Sequence, residues 1–285
     1  MVVFLLLSIL FSTLTVSFFK VFEIKKVQTF QAIVMNYLSC GIIGNLLSDK
    51  TVFQIQVWNT DWYIYTLILG SLFISILFCI GLTAQKMGVS VSMVAAKLSV
   101  VIPVLVAVFL HHEMPGIIGV IGIVVSMIAV IIMSRSNEEQ ATSANLWILP
   151  LLVFVGSGFI DSILHYLEEM FIPAYSADTI VTTVFLNAFL LGSIILIGGI
   201  ITGKTKLDLN SILWGLLLGL PNYFSMFFLV KTLQGSNATI IFPINNIGIV
   251  LASTLFSVLF FKEILTKNKW IGLSLALLAI ALMSI

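Results

Sequence analysis

The chain has 285 residues, of which 60% are hydrophobic and 9% charged. Soluble domains carry roughly 25% charged residues, so a soluble fold is excluded and a membrane-embedded one is expected. Ten spans of about 20 residues would take up most of the length and leave none for an attached soluble domain, and a net charge of +1 offers no basic surface to nucleic acid.

Apolar runs follow one another at about 2–22, 28–47, 62–85, 89–110, 114–134, 146–167, 178–202, 211–231, 237–261 and 268–285, each of spanning length. They neither alternate nor shrink to the roughly 10 residues of a barrel strand. The expected fold is therefore all-α and integral to the membrane, with ten transmembrane helices. The first run lacks the basic start and the small-residue exit of a signal peptide, and is read as a retained helix. The second holds Asn36-Tyr37 and Cys40. With Cys79 in the third, the cysteines lie in apolar runs and form no disulfide framework. Trp58 and Trp62 precede the third run, while Trp147, Trp214 and Trp270 open the sixth, eighth and tenth. All five are expected in the interfacial aromatic belt.

The fourth run contains Lys97 and Pro103 and ends at His111-His112-Glu113. That spacing does not gather metal ligands on one helical face, and no metal or other cofactor is expected. Gly116, Gly119 and Gly122 in the fifth run allow close helix contact, within the chain or in a homodimer. A polar connection, 135–145, then divides the chain into 1–134 and 146–285. In the sixth run Asp161, His165 and Glu168 share one face at i, i+4, i+7. The seventh ends on Gly198-Gly-Ile-Ile-Thr-Gly203-Lys204-Thr205, which satisfies the P-loop pattern. A P-loop must open a helix so that backbone amides face the phosphates, and this one closes a helix, so nucleotide binding is rejected. The eighth run carries Gly215, Gly219 and Pro221-Asn222-Tyr223; the ninth carries Pro243 and Asn245-Asn246. The sequon at Asn237 sits at a membrane entry and is discounted.

The halves repeat faintly. Asn36-x4-Gly41 matches Asn187-x4-Gly192, and Glu113, Gly122 and Ala129 match Glu263, Gly272 and Ala279 in order. Five helices per half is an odd number, so the halves must lie inverted: a 5+5 inverted repeat, an architecture of secondary transporters. Nine lysines and arginines follow odd helices and two follow even ones, which places the termini outside.

Lys97 falls near mid-bilayer, where a charged lysine costs about 2.5–3.5 kcal/mol on insertion scales. It is expected to hold an anionic group or exchange a proton; the structural alternative is a lysine paired to a carboxylate or to helix carbonyls. Asn36, Tyr37, Asn222, Tyr223, Asn245 and Asn246 are candidate substrate contacts, or else helix-packing hydrogen bonds. Pro103, Pro221 and Pro243 are expected to break their helices, as at transporter sites. Asp161 and His165 are candidates for proton coupling, with a helix end among lipid headgroups as the alternative.

Glu113 to Gly122 and Glu263 to Gly272 share the pattern Glu-x8-Gly inside apolar sequence, and Val100-Val-Ile-Pro-Val-Leu-Val-Ala-Val-Phe-Leu-His-His-Glu113 is similar to the fourth-helix pattern of a known family. On these features the chain resembles the EamA-domain family of the drug/metabolite transporter superfamily over essentially its whole length. No nucleophile–base–acid set can be assembled from histidines spread as His111, His112 and His165, so no enzyme activity is expected. A multi-pass protein of a bacterial cytoplasmic (inner) membrane is expected. The resemblance implies a central cavity between the halves. It also implies both termini in the cytoplasm, against the lysine count. The expected function is secondary transport of a small polar metabolite, such as an amino acid or another anionic or zwitterionic compound, by alternating access. A flippase for lipid-linked substrates and a non-transporting membrane subunit are the alternatives. Partners are then a small-molecule substrate and the bilayer, with no nucleic acid.

Overall fold

The computed structural model describes residues 2–48, 52–103, 105–106, 116–135, 146–171, 176–233 and 238–283. Its long helices are α1 (Val2–Ile24), α2 (Thr29–Leu47), α3 (Tyr63–Met87), α4 (Val89–Leu98), α5 (Ile117–Arg135), α6 (Ile148–Phe171), α7 (Ala177–Ile201), α8 (Leu209–Leu233), α9 (Ala238–Phe261) and α10 (Lys267–Met283). Single turns at Val52–Ile55 and Val57–Asn59 join α2 to α3. Among the described residues there is no strand. Among the described residues, seven helices (α1, α2, α3, α6, α7, α8 and α9) are long and apolar enough to cross a membrane. The chain is a multi-pass membrane protein, in which only a helix satisfies its backbone polar groups without water.

The helix ends have local causes. α4 stops at Leu98, and after a turn at Ser99 and Val100 helical backbone resumes at 101–103. Pro103 has no N–H to give the Ser99 carbonyl, and Ile102 N–H supplies the bond instead at 2.8 Å, tightening the chain into a turn. Pro221 and Pro243 behave differently from expectation: α8 and α9 run through them without interruption. Spanning helices tolerate proline because local adjustment and neighbouring groups take up the freed carbonyl. α7 closes on Gly203 at φ +70°, with Lys204 N–H bonding Gly199 O at 2.9 Å and Gly203 N–H bonding Ile200 O at 3.0 Å. That is a Schellman turn, so the glycines of the P-loop-like stretch serve a helix C-terminus.

α8 opens on Asp208, whose carboxylate accepts the N–H of Ser211 at 3.0 Å and of Asn210 at 3.3 Å, and the Ser211 hydroxyl as well. The Ser211 hydroxyl first, then the two amides, hold this carboxyl below the usual aspartate range. A carboxyl lowered on folding stabilises the protein fully above its unfolded pKa and loses that effect as pH falls through the folded value. The melting temperature of Asp208→Ala is therefore expected to lie below that of the wild type near neutrality. The gap should close on acidification below about pH 4. A gap that stays constant across that range would show that charge plays no part in the cap.

The chain divides into two compact units, one of Met1–Val21, Cys79–Phe159 and Phe224–Ile285, the other of Phe22–Phe78 and Ile160–Tyr223. Neither coincides with 1–134 or 146–285; each draws on both halves, and α1, α3, α6 and α8 contribute to both units. In the first unit α5 packs along α10, and α4 packs on α9. Its core joins Val94 and Leu98 of α4 to Ile123 and Ala129 of α5, Val250 of α9, and Ala276 and Ala279 of α10. The fully buried alanines let α5 and α10 approach closely. In the second unit α2 packs on α7. A separate cluster gathers Val57, Trp62, Leu69, Leu167, Ile180 and Val184. Trp62 is fully buried there, a correction to its expected place in the aromatic belt, whereas Trp58 is half exposed.

Candidate functional site

The second unit holds most of the polar residues singled out from the sequence. Asn36 lies on α2 and is fully buried. Its Oδ1 accepts the Asn222 side-chain amide of α8 at 3.1 Å, and the Cys40 thiol one turn along at 3.8 Å. The thiol also lies 3.4 Å from the Gly219 carbonyl. The amide nitrogen of Asn36 is buried with no hydrogen-bond partner among the described residues. An unmet buried donor costs about 1–3 kcal/mol, so the position is held against a penalty.

α2 and α8 can meet here because α8 is thin on this face. A Cβ on Gly219 would stand 2.8 Å from the Asn36 carbonyl, and one on Gly215 would stand 2.8 Å from the Ala32 Cα. The glycine spacing read as a packing face is thus used within the chain. Adjacent residues leave a helix in different directions, and Asn36 and Tyr37 separate accordingly. Tyr37 is buried, donates its hydroxyl to the Phe73 carbonyl of α3 at 2.8 Å, and stacks on Phe185 of α7 at 6.0 Å. Tyr223 is buried beside Gly44.

A second polar contact in the same unit was not expected as a site. Asn187 of α7 is buried; it accepts the Tyr63 hydroxyl at 3.3 Å and donates to the Thr66 hydroxyl at 3.0 Å, both on α3. Gly70 of α3 gives the close approach, since a Cβ there would lie 3.0 Å from the Asn187 Cβ. Asn187 served in the sequence only as a marker of the repeat. An asparagine in the middle of an apolar run is itself the signal that should have placed it among the candidates. Asp161 and His165 are exposed on α6, in this unit.

Lys97, Pro103, Pro243, Asn245 and Asn246 belong to the first unit. Lys97 is half-buried in the last turn of α4. Asn245 is buried on α9 with its Oδ1 unpartnered among the described residues, and Asn246 is half-buried. The side chain of Glu168, and His111, His112, Glu113 and Asn237, lie outside the described residues. Among the described residues, no three His, Cys, Asp or Glu side chains are grouped to hold a metal ion.

Residues 147–285 match the model of the EamA-like transporter family. A protein of Haemophilus influenzae carrying the description "Uncharacterized protein" is 26% identical over 287 residues, covering 97% of this chain and 95% of that one. A solved structure described as "Crystal structure of protein" superposes with a TM-score of 0.60 at 14% identity, over 97% of this chain and 96% of the other. At that identity the likeness speaks for the fold alone.

Proposed function

We propose that this chain, whose residues 147–285 belong to the EamA-like transporter family of the drug/metabolite transporter superfamily, is a secondary transporter of a small polar metabolite. It crosses the membrane ten times as a 5+5 inverted repeat. Helix partners support that arrangement: α2 packs with α7, α4 with α9 and α5 with α10, each helix beside the one five places on. The asparagines support it as well. Asn36 of α2 meets α8 across Gly219, and its counterpart Asn187 of α7 meets α3 across Gly70. A twofold exchange of α2 with α7 and of α3 with α8 relates the two contacts.

The observation that carries the substrate reading is the buried Asn36 amide, a fixed donor with no acceptor among the described residues. It suits a carboxylate or carbonyl oxygen, with Asn222 holding the Asn36 side chain in place; Tyr37 and Tyr223, buried elsewhere in the same unit, are proposed as further contacts. Lys97, Asn245 and Asn246 are the contacts proposed for the first unit, Lys97 toward an anionic group. Asp161 and His165 are proposed to carry the coupling proton. The protein sits in a bacterial inner membrane and moves its substrate by alternating access.

A panel of amino acids and small carboxylates tests this by thermal stabilisation, since a ligand of the folded state raises its melting temperature by mass action. At least one anionic or zwitterionic compound is expected to protect the purified protein and to be carried into vesicles containing it alone. If no soluble compound protects a well-folded preparation, metabolite transport gives way to a lipid-linked substrate or a partner subunit.

A further inference from the structure

The corner between α3 and α4 consists of a single residue, Gly88, and two charged side chains from beyond α9 grip it from both sides. Glu263, just past α9, accepts the Val89 N–H through Oε1 at 3.1 Å. Val89 is the first residue of α4. Lys269, in the first turn of α10 and 6% exposed, donates to the Met87 carbonyl at 3.1 Å. Met87 is the last residue of α3. Gly88 has φ +109°, and a Cβ there would lie 2.7 Å from Glu263 Oε2. Lys20 of α1 adds a second cation at the same helix end, through the Gln85 carbonyl at 3.1 Å.

These signs match the helix dipoles. A carboxylate faces the positive N-terminus of α4, and ammonium groups face the negative C-terminus of α3. Each also fills a backbone group that the helix ends leave open. In the sequence, Glu263 stands out only as half of a repeated Glu-x8-Gly pattern and Lys269 only as one of the lysines that follow odd helices.

We propose that Glu263 and Lys269 are positioning residues, a two-sided clamp by which the α9–α10 connection seats the α3–α4 corner and so sets the angle of α4, the helix that carries Lys97. The clamp works through the two helix ends, with each residue serving a different one; mutual attraction between Glu263 and Lys269 is secondary. The consequence for Lys97 rests on the transporter reading above, while the clamp itself does not.

Hydrogen–deuterium exchange on the purified full chain tests it without any transported compound. Glu263→Gln keeps the side-chain shape and removes the charge; Lys269→Met removes the donor. Both are expected to speed exchange in the peptide covering residues 87–92 by roughly tenfold or more, the effect of weakening a charged hydrogen bond, while α5 peptides keep wild-type rates. The exchanged pair, Glu263→Lys with Lys269→Glu, separates the two explanations. A simple ion pair would be restored by the swap. A clamp would stay open, since a lysine would then face the amide and a carboxylate the carbonyl. Wild-type exchange at 87–92 in either single variant, or in the swapped pair, would overturn the proposal. If Glu263→Gln does not fold, Lys269→Met decides at the same peptide.

Discussion

Gly215→Ala is expected to destabilise the protein by about 1–3 kcal/mol, the usual penalty for overpacking, whereas Gly198→Ala is expected to be neutral or stabilising. Both glycines are helical and both lie in apolar sequence, so composition does not distinguish them. A methyl on Gly215 would meet the Ala32 backbone, with its Cα at 2.8 Å and its carbonyl oxygen nearer still, and the Met35 Cβ at 2.8 Å. Backbone atoms do not rotate aside, so α8 would have to move away from α2. Because Asn222 lies two turns along the same helix, that movement would also loosen its contact with Asn36. A methyl on Gly198 meets nothing among the described residues within 4 Å, and alanine gains up to about 1 kcal/mol over glycine in a helix. Melting temperatures of the two variants in one detergent decide the matter. Equal effects would mean that the α2–α8 contact does not need glycine.

What the sequence revealed and what it hid follow one physical division. Spans are legible because a bilayer imposes a length and a polarity on every helix that crosses it. The expected runs at 28–47 and 178–202 accordingly reappear as Thr29–Leu47 and Ala177–Ile201. Contacts between spans carry no such periodic signal. Trp62 looked interfacial from its place at a run end, yet neighbours distant in sequence, Leu167 and Ile180 among them, bury it. Pro221 looked like a break, because the rule concerns an isolated helix, and α8 continues through it. Asn36 was noticed as a polar residue in an apolar run, but its pairing with Asn222 is 186 positions away and could not be read. Glu263 is the plainest case: the repeated pattern showed that the residue recurs, while the reason, an open amide at the start of another helix, exists only in three dimensions.

Lys97→Gln is expected to reduce transport to the background of empty vesicles while leaving a folded protein with a wild-type melting profile. Glutamine keeps most of the length and the hydrogen-bonding capacity of the side chain and removes only its charge. Removing one partner of a buried ion pair costs about 3–5 kcal/mol, which for an anionic substrate is about a hundred- to a few thousandfold in affinity. A half-buried lysine of purely structural importance gives the opposite pattern. Transport by the surviving folded fraction would then continue at the wild-type rate, and the melting temperature would fall. Lys97→Arg divides the functional reading further. Arginine stays protonated at every working pH, so it can neutralise an anion but cannot release a proton. Transport retained in Lys97→Arg and lost in Lys97→Gln assigns Lys97 the role of a fixed counter-charge. Loss in both, with stability intact, assigns it to proton exchange in place of Asp161 and His165.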